Sequence, residues 1–134
     1  MADDRIEFEL VSPEHLLVSE RVEMVVVPGT EGDFGVLPRH TPMISTVRPG
    51  VIRVYESGAV KDSIFVAGGF AEVTPARCTV LADLAMPIAE IDRAAAEQQL
   101  KDAREDLADA KTDEERKAAE KAAGIAEAML KAQA

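Results

Sequence analysis

The chain has 134 residues, 25 acidic and 15 basic, with a net charge of −10. That balance repels polyanions, so it excludes nucleic acid and direct insertion into anionic membranes and favours a partner with basic patches. Cys78 is the only cysteine, which excludes a disulfide framework or a CxxC metal site, and no apolar run approaches the roughly 18 residues that span a bilayer.

MADDRIEFEL opens the chain with acids where a targeting peptide has basic residues, and no apolar h-region follows. The expectation is a cytosolic protein, or a cytosol-facing one held by another protein. Arg5–Leu10 then alternates, with Ile6, Phe8 and Leu10 on one face. Val22–Val27 is β-branched and nearly all apolar, which predicts one strand buried on both sides. EGDFGVLPRHTP follows at residues 31–42. Its first residues signal a turn, Phe34, Val36 and Leu37 form a short strand, and Pro38 ends it. Val51–Glu56 places Ile52 and Val54 opposite Arg53 and Tyr55. Ser63–Ala67, Phe70–Val73 and Arg77–Ala82 are the remaining strands, separated by Gly68-Gly69 and Thr74-Pro75. Short strands with turn signals every 8–12 residues predict an antiparallel sandwich or barrel.

Composition changes near Pro87. Every proline and aromatic residue lies at or before it, and Ala, Glu, Lys and Asp dominate after it. The expected division is a β-sandwich over 1–88 and a helical hairpin over 89–134. Ala96, Leu100, Ala103, Leu107 and Ala110 form one helical stripe, and Ala118, Ala122, Ile125 and Met129 repeat the spacing. Thr112 with Glu115 makes a T-x-x-E capping box where the second helix starts. The short link makes the two helices antiparallel neighbours. Their stripes are mostly alanine, which buries little apolar area at about 25 cal/mol per Å², so the hairpin forms readily but is held loosely.

Chemical signatures are absent from the sequence. There is no GxxxxGK[ST], GxGxxG, HExxH or GxSxG, and Cys78 alternates with Val80 and Ala82 as a buried structural thiol does. Glu31, Asp33 and His40 invite an acid–base reading. Acids seven to nine residues from a histidine, across a strand, have no convergent geometry by spacing. Glycines and prolines that fix a backbone carrying acids and His40 at its tip describe a recognition loop instead.

Four stretches stand out together: VPGTEGDFGVLPRHTP (27–42), VRPGVIR (47–53), IFVAGGFAEV (64–73) and TVLAD (79–83). In that order, ahead of a helical hairpin, they resemble the epsilon subunits of bacterial F-type ATP synthases, over nearly all of residues 5–110. The resemblance implies a mostly β fold plus α: a sandwich of about ten antiparallel strands with a C-terminal antiparallel two-helix hairpin. It implies a non-catalytic central-stalk subunit, part of the rotor, that helps couple proton translocation to ATP synthesis and hydrolysis. The implied partners are the gamma subunit, the c-subunit ring and, through the hairpin, the catalytic alpha/beta head, whose ATP hydrolysis the raised hairpin inhibits. No cofactor and no metal is implied. The implied location is peripheral, on the cytoplasmic face of the bacterial inner membrane.

By position, the resemblance assigns the c-ring contact to Glu31 and Asp33, with His40 nearby. Some relatives bind ATP through an Ile/Leu-Asp-x-x-Arg-Ala motif at the first helix. Here Ile91 and Asp92 match it, Arg93 follows directly, and Ala95 stands at the arginine position, which removes a strong phosphate contact. A reading of another class is a free-standing ligand sensor with the hairpin as a lid over the sandwich.

Overall fold

The computed structural model describes residues 4–13 and 15–133. The chain forms two compact units that divide after Pro87. The first holds β1 (Ile6–Val11), β2 (Leu16–Val22), β3 (Met24–Gly29), β4 (Gly32–Val36), β5 (Met43–Val47), β6 (Gly50–Glu56), β7 (Ala59–Val66), β8 (Gly69–Val73), β9 (Arg77–Ala82) and β10 (Ala85–Pro87). The second holds a 3₁₀ turn over Ile88–Glu90, then α1 (Arg93–Asp109) and α2 (Asp113–Ala132).

The ten strands make two layers, β4-β3-β6-β7-β10 and β5-β8-β9-β1-β2, joined where Gly29 of β3 pairs with Val47 of β5. Alternation sends one side of each strand inward. Ile6, Phe8 and Leu10 of β1, Val25 and Val27 of β3, Ile52 and Val54 of β6, and Cys78 and Val80 of β9 are fully buried in one core. Each large aliphatic or aromatic side chain so buried contributes about 1.5–3 kcal/mol. Glu20 of β2 and Lys61 of β7 pair at 2.8 Å from one layer to the other, and this pairing raises the Lys61 pKa above its ordinary value.

The structure corrects the sequence reading in several places. The sandwich is antiparallel except at β1 and β9, which run parallel from Glu7↔Arg77 to Val11↔Leu81. Alternation has the same period in both directions, so the pattern carries no sign of strand sense. Val22–Val27 is not one strand. β2 ends at Val22, paired with Ile6, and β3 starts at Met24, paired with Tyr55. Glu23 makes the corner between layers: its N–H donates to the Tyr55 carbonyl at 3.3 Å, and its carboxylate accepts the Ser57 N–H at 2.7 and 2.9 Å. Val26 is only half-buried, so β3 hides one face rather than two. β2 and β5 escape the sequence pattern because their outward positions include the exposed apolar residues Leu16 and Ile44, and β10 has only three residues.

In the hairpin unit, Asp92 accepts the Ala95 N–H at 3.1 Å and caps α1. Thr112 accepts the Glu115 N–H at 3.1 Å and caps α2, while Glu115 reaches back to the Lys111 N–H at 3.0 Å. The reciprocal bond therefore lands one residue earlier than in a standard capping box. The helices have 17 and 20 residues, or about 26 and 30 Å. Ala96, Leu100 and Ala103 of α1 are buried, but Leu107 is exposed. In α2 the buried set is Ala119, Ala126 and Met129, with Ala118 and Ala122 exposed. The run Lys117–Ala126 places alanines side by side, and packing buries Ala119 and Ala126 in place of Ala118 and Ala122, while Met129 is buried as the spacing predicts and Ile125 is half-buried. Gln133 donates its side-chain N–H to the Ile91 carbonyl, tying the end of the unit to its start.

Two glycines give opposite expectations. Gly69 has φ +134 and a Cβ there stands 1.9 Å from the Leu81 oxygen, so Gly69→Ala costs about 3 kcal/mol in urea unfolding of the β-rich unit. Gly124 lies inside α2 with nothing within 4 Å of an added Cβ, so Gly124→Ala stabilises the hairpin by about 0.5–1 kcal/mol, read from the thermal loss of helical circular dichroism.

Candidate functional site

The β3–β4 hairpin is paired to its last residues, Gly29↔Gly32, which leaves Thr30 and Glu31 as a two-residue tip. Gly32 takes φ +137, a backbone state open to glycine. The Thr30 N–H donates to the Thr46 carbonyl at 3.1 Å, and the two threonine hydroxyls meet at 2.7 Å. Asp33 spreads its carboxylate over two arginines: Oδ1 accepts from Arg48 Nη2 at 2.5 Å and Oδ2 from Arg53 Nη2 at 3.4 Å. Arg48 Nη1 also donates to the Gly29 carbonyl. Glu31 is exposed.

His40 lies beyond the other end of β4, in the turn closed by its N–H on the Leu37 carbonyl at 3.2 Å. Its Nδ1 donates to the Thr41 carbonyl at 2.6 Å. Arg39 beside it adopts φ 67 and donates its N–H to the Pro75 carbonyl at 2.7 Å. A five-residue strand is about 17 Å long, so the structure brings Glu31 and Asp33 together and leaves His40 apart. The three groups form no acid–base constellation. Among the described residues no group of three or more His, Cys, Asp or Glu is placed to hold a metal, and no helix is long and apolar enough to cross a membrane.

The nucleotide-motif residues are engaged in folding. Asp92 is the α1 cap, Ile91 is buried and its carbonyl is taken by Gln133, and Arg93 pairs with Glu97 at 3.2 Å.

Strand register creates a feature that the sequence does not display. Phe70 pairs with Leu81, Leu81 with Val11, and Val11 with Leu16. These four residues form one row across β8, β9, β1 and β2 on the outer face of that layer. Phe70, Leu81 and Leu16 are 56%, 52% and 60% exposed. Ile44 on neighbouring β5 is 75% exposed. The adjacent row is acidic and polar, Glu72–Thr79–Glu9, with Arg77 reaching Glu7 at 3.2 Å and Glu9 at 3.1 Å. An open depression of about 620 Å³, walled by Glu31, Asp33, Phe34, Ile44, Thr46 and Phe70, runs from the turn to this face. The available signal was an apolar residue in the outward phase of a strand, as Leu81 is between Val80 and Ala82. It becomes a patch only once register aligns the strands.

Cys78 is fully buried, and burial pushes its thiol up to about 12. The thiolate is the reactive form. Cys78 is therefore expected to react with a disulfide probe at pH 8 at least about a hundredfold more slowly in the native protein than in urea. Equal rates would show that the β9 face opens readily.

Residues 5–88 match the beta-sandwich domain of ATP synthase delta/epsilon chains, and residues 92–134 match the C-terminal domain of ATP synthase epsilon chains. The ATP synthase epsilon chain of Rhodospirillum rubrum is 59% identical over 126 residues, 94% of each chain. That of Paramagnetospirillum magneticum is 55% identical over 129 residues, 96% of this chain and 97% of the relative. A chain in the Euglena gracilis mitochondrial ATP synthase structure, comprising OSCP, F1 and c-ring, superposes with a TM-score of 0.85 at 27% identity, covering 98% of this chain and 83% of that one. A chain in the Tetrahymena thermophila mitochondrial ATP synthase central stalk and c-ring structure gives a TM-score of 0.75 at 16% identity over the whole of both chains, a likeness of fold alone.

Proposed function

The chain belongs to the ATP synthase epsilon chain family, and from that membership we propose that it is a rotor subunit of the central stalk that links the gamma subunit to the c-subunit ring. It is not catalytic by itself; the catalytic sites lie in other subunits. In this reading it helps couple proton translocation to ATP synthesis and hydrolysis, held peripherally at the cytoplasmic side of the membrane by its partners.

The observation that carries the reading is the Phe70–Leu81–Val11–Leu16 row with its acidic border. Contiguous exposed apolar residues rimmed by charge mark a protein interface. We assign this face to gamma. The acidic row then steers a basic surface into register, an effect on orientation and association rate more than on affinity. The depression leading to the β3–β4 turn makes the ring contact continuous with the gamma contact, with Glu31 at the tip, Asp33 next to it at the start of β4 and His40 beyond the far end of β4. The hairpin is assigned a regulatory role, inhibiting ATP hydrolysis when it leaves its resting position for the catalytic head. Its buried contacts are mostly alanine, which suits an element with two packings of similar energy. No nucleotide role is assigned to Ile91 and Asp92, because both are committed to the start of α1.

Titration of the protein into a catalytic head that contains gamma but lacks epsilon tests the assignment. Saturable binding with a fall in ATPase rate is expected. Replacing Phe70 and Leu81 together by Ser is expected to weaken binding at least about tenfold, with the β-rich unit still folding cooperatively in urea and losing no more than about 2 kcal/mol of unfolding free energy, since the two cross-strand partners are about half exposed. Absence of binding by the parent protein overturns the rotor reading.

A further inference from the structure

We propose that Asp33 is a positioning residue of the docking turn, so that Glu31 is the charge the turn presents to its partner. The inference rests on the docking role proposed above and deepens it. The sequence places Glu31 and Asp33 as equivalent acids on one tip, but the structure gives them different surroundings. Both oxygens of Asp33 accept from guanidinium groups, Arg48 at 2.5 Å and Arg53 at 3.4 Å. Arg48 in turn holds the Gly29 carbonyl, the residue before the tip, and its backbone N–H donates to the Pro28 carbonyl at 2.9 Å. One carboxylate therefore fastens β4 to β6, to the segment after β5 and, through Arg48, to the end of β3.

A carboxylate held between two cations makes a poor target for a third. The cluster of Asp33, Arg48 and Arg53 has a net positive charge, so it repels a basic side chain from outside. Glu31 has no ion pair or side-chain hydrogen bond among the described residues and is exposed. The tip thus offers one free negative charge beside two positive charges that Asp33 holds in place. Its chemical match is a partner surface with a basic group opposite Glu31 and none opposite Arg48 and Arg53.

The test uses ATP synthase membranes depleted of this subunit and reconstituted with full-length variants, with affinity measured against ionic strength. Amide exchange of Thr30 is followed in the isolated full-length protein. Glu31→Gln is expected to flatten the salt dependence of binding and leave Thr30 exchange unchanged. Asp33→Asn is expected to raise Thr30 exchange about five- to tenfold and to weaken binding at every salt concentration with the slope retained. Arg48→Gln should reproduce Asp33→Asn, the double variant should be no worse than either single one, and Asp33→Glu should recover part of the loss. If Asp33→Asn flattens the salt slope and leaves Thr30 exchange at the parent rate, Asp33 faces the partner and the proposal is overturned. If no variant, Glu31→Gln included, alters binding, the docking role of the turn itself fails and the proposal falls with it.

Discussion

β3 is the strand on which the rest of the sandwich depends. It pairs with β6 over Met24–Val26 and with β4 over Val25–Gly29, and its last residue, Gly29, pairs with Val47 of β5. That pair, with the Thr30 N–H on the Thr46 carbonyl and the Arg48 N–H on the Pro28 carbonyl beside it, joins the two layers at one end, while the Glu23 corner turns the backbone between them at the other. Between these points Val25 and Val27 face the shared core. Because interiors pack to nearly crystalline density, the spacing of the layers fixes where every outward side chain stands. The turn at Thr30-Glu31 and the apolar row on β8, β9, β1 and β2 are both consequences of that frame.

Charge on this protein is organised more finely than its net value suggests. The chain is acidic overall, yet Asp33 is balanced by two arginines, and Glu7 and Glu9 share Arg77. Exposed pairs of this kind contribute little to stability, at most about 1 kcal/mol each. Their larger effect is on presentation, since they decide which charges remain available to a partner. The proposed docking surface, with most charges paired internally and an apolar row at its centre, has the anatomy of a specific interface, where rim charges orient and buried apolar contacts hold.

The hairpin unit follows a different logic. Its ends are well defined, by Asp92 and Thr112 as caps and by Gln133 on the Ile91 carbonyl. Its interior is thin, because alanine supplies most of the buried positions. Helices with firm caps and a weak seam retain their secondary structure when their packing partner changes, which is the property the proposed regulatory role requires.

Local structure and family membership were legible in the order of the amino acids alone. Alternation at Ile6–Leu10, Val51–Glu56 and Arg77–Ala82 is a local property, as is the Thr112 cap, and each stands in the structure. The word pattern from Val27 to Asp83 was specific enough to identify relatives. Features that depend on pairing over long separations emerged only on folding: the parallel sense of β1 and β9, the break at Glu23, the α2 stripe through Ala119 and Ala126, and the alignment of Phe70, Leu81, Val11 and Leu16. The capture of Asp33 by Arg48 and Arg53, with Glu31 left out, belongs with them. One cause underlies all of these. Periodicity records which side of an element is apolar, but register, direction and ion-pair partners are fixed only when distant segments compete for the same core and the same edges.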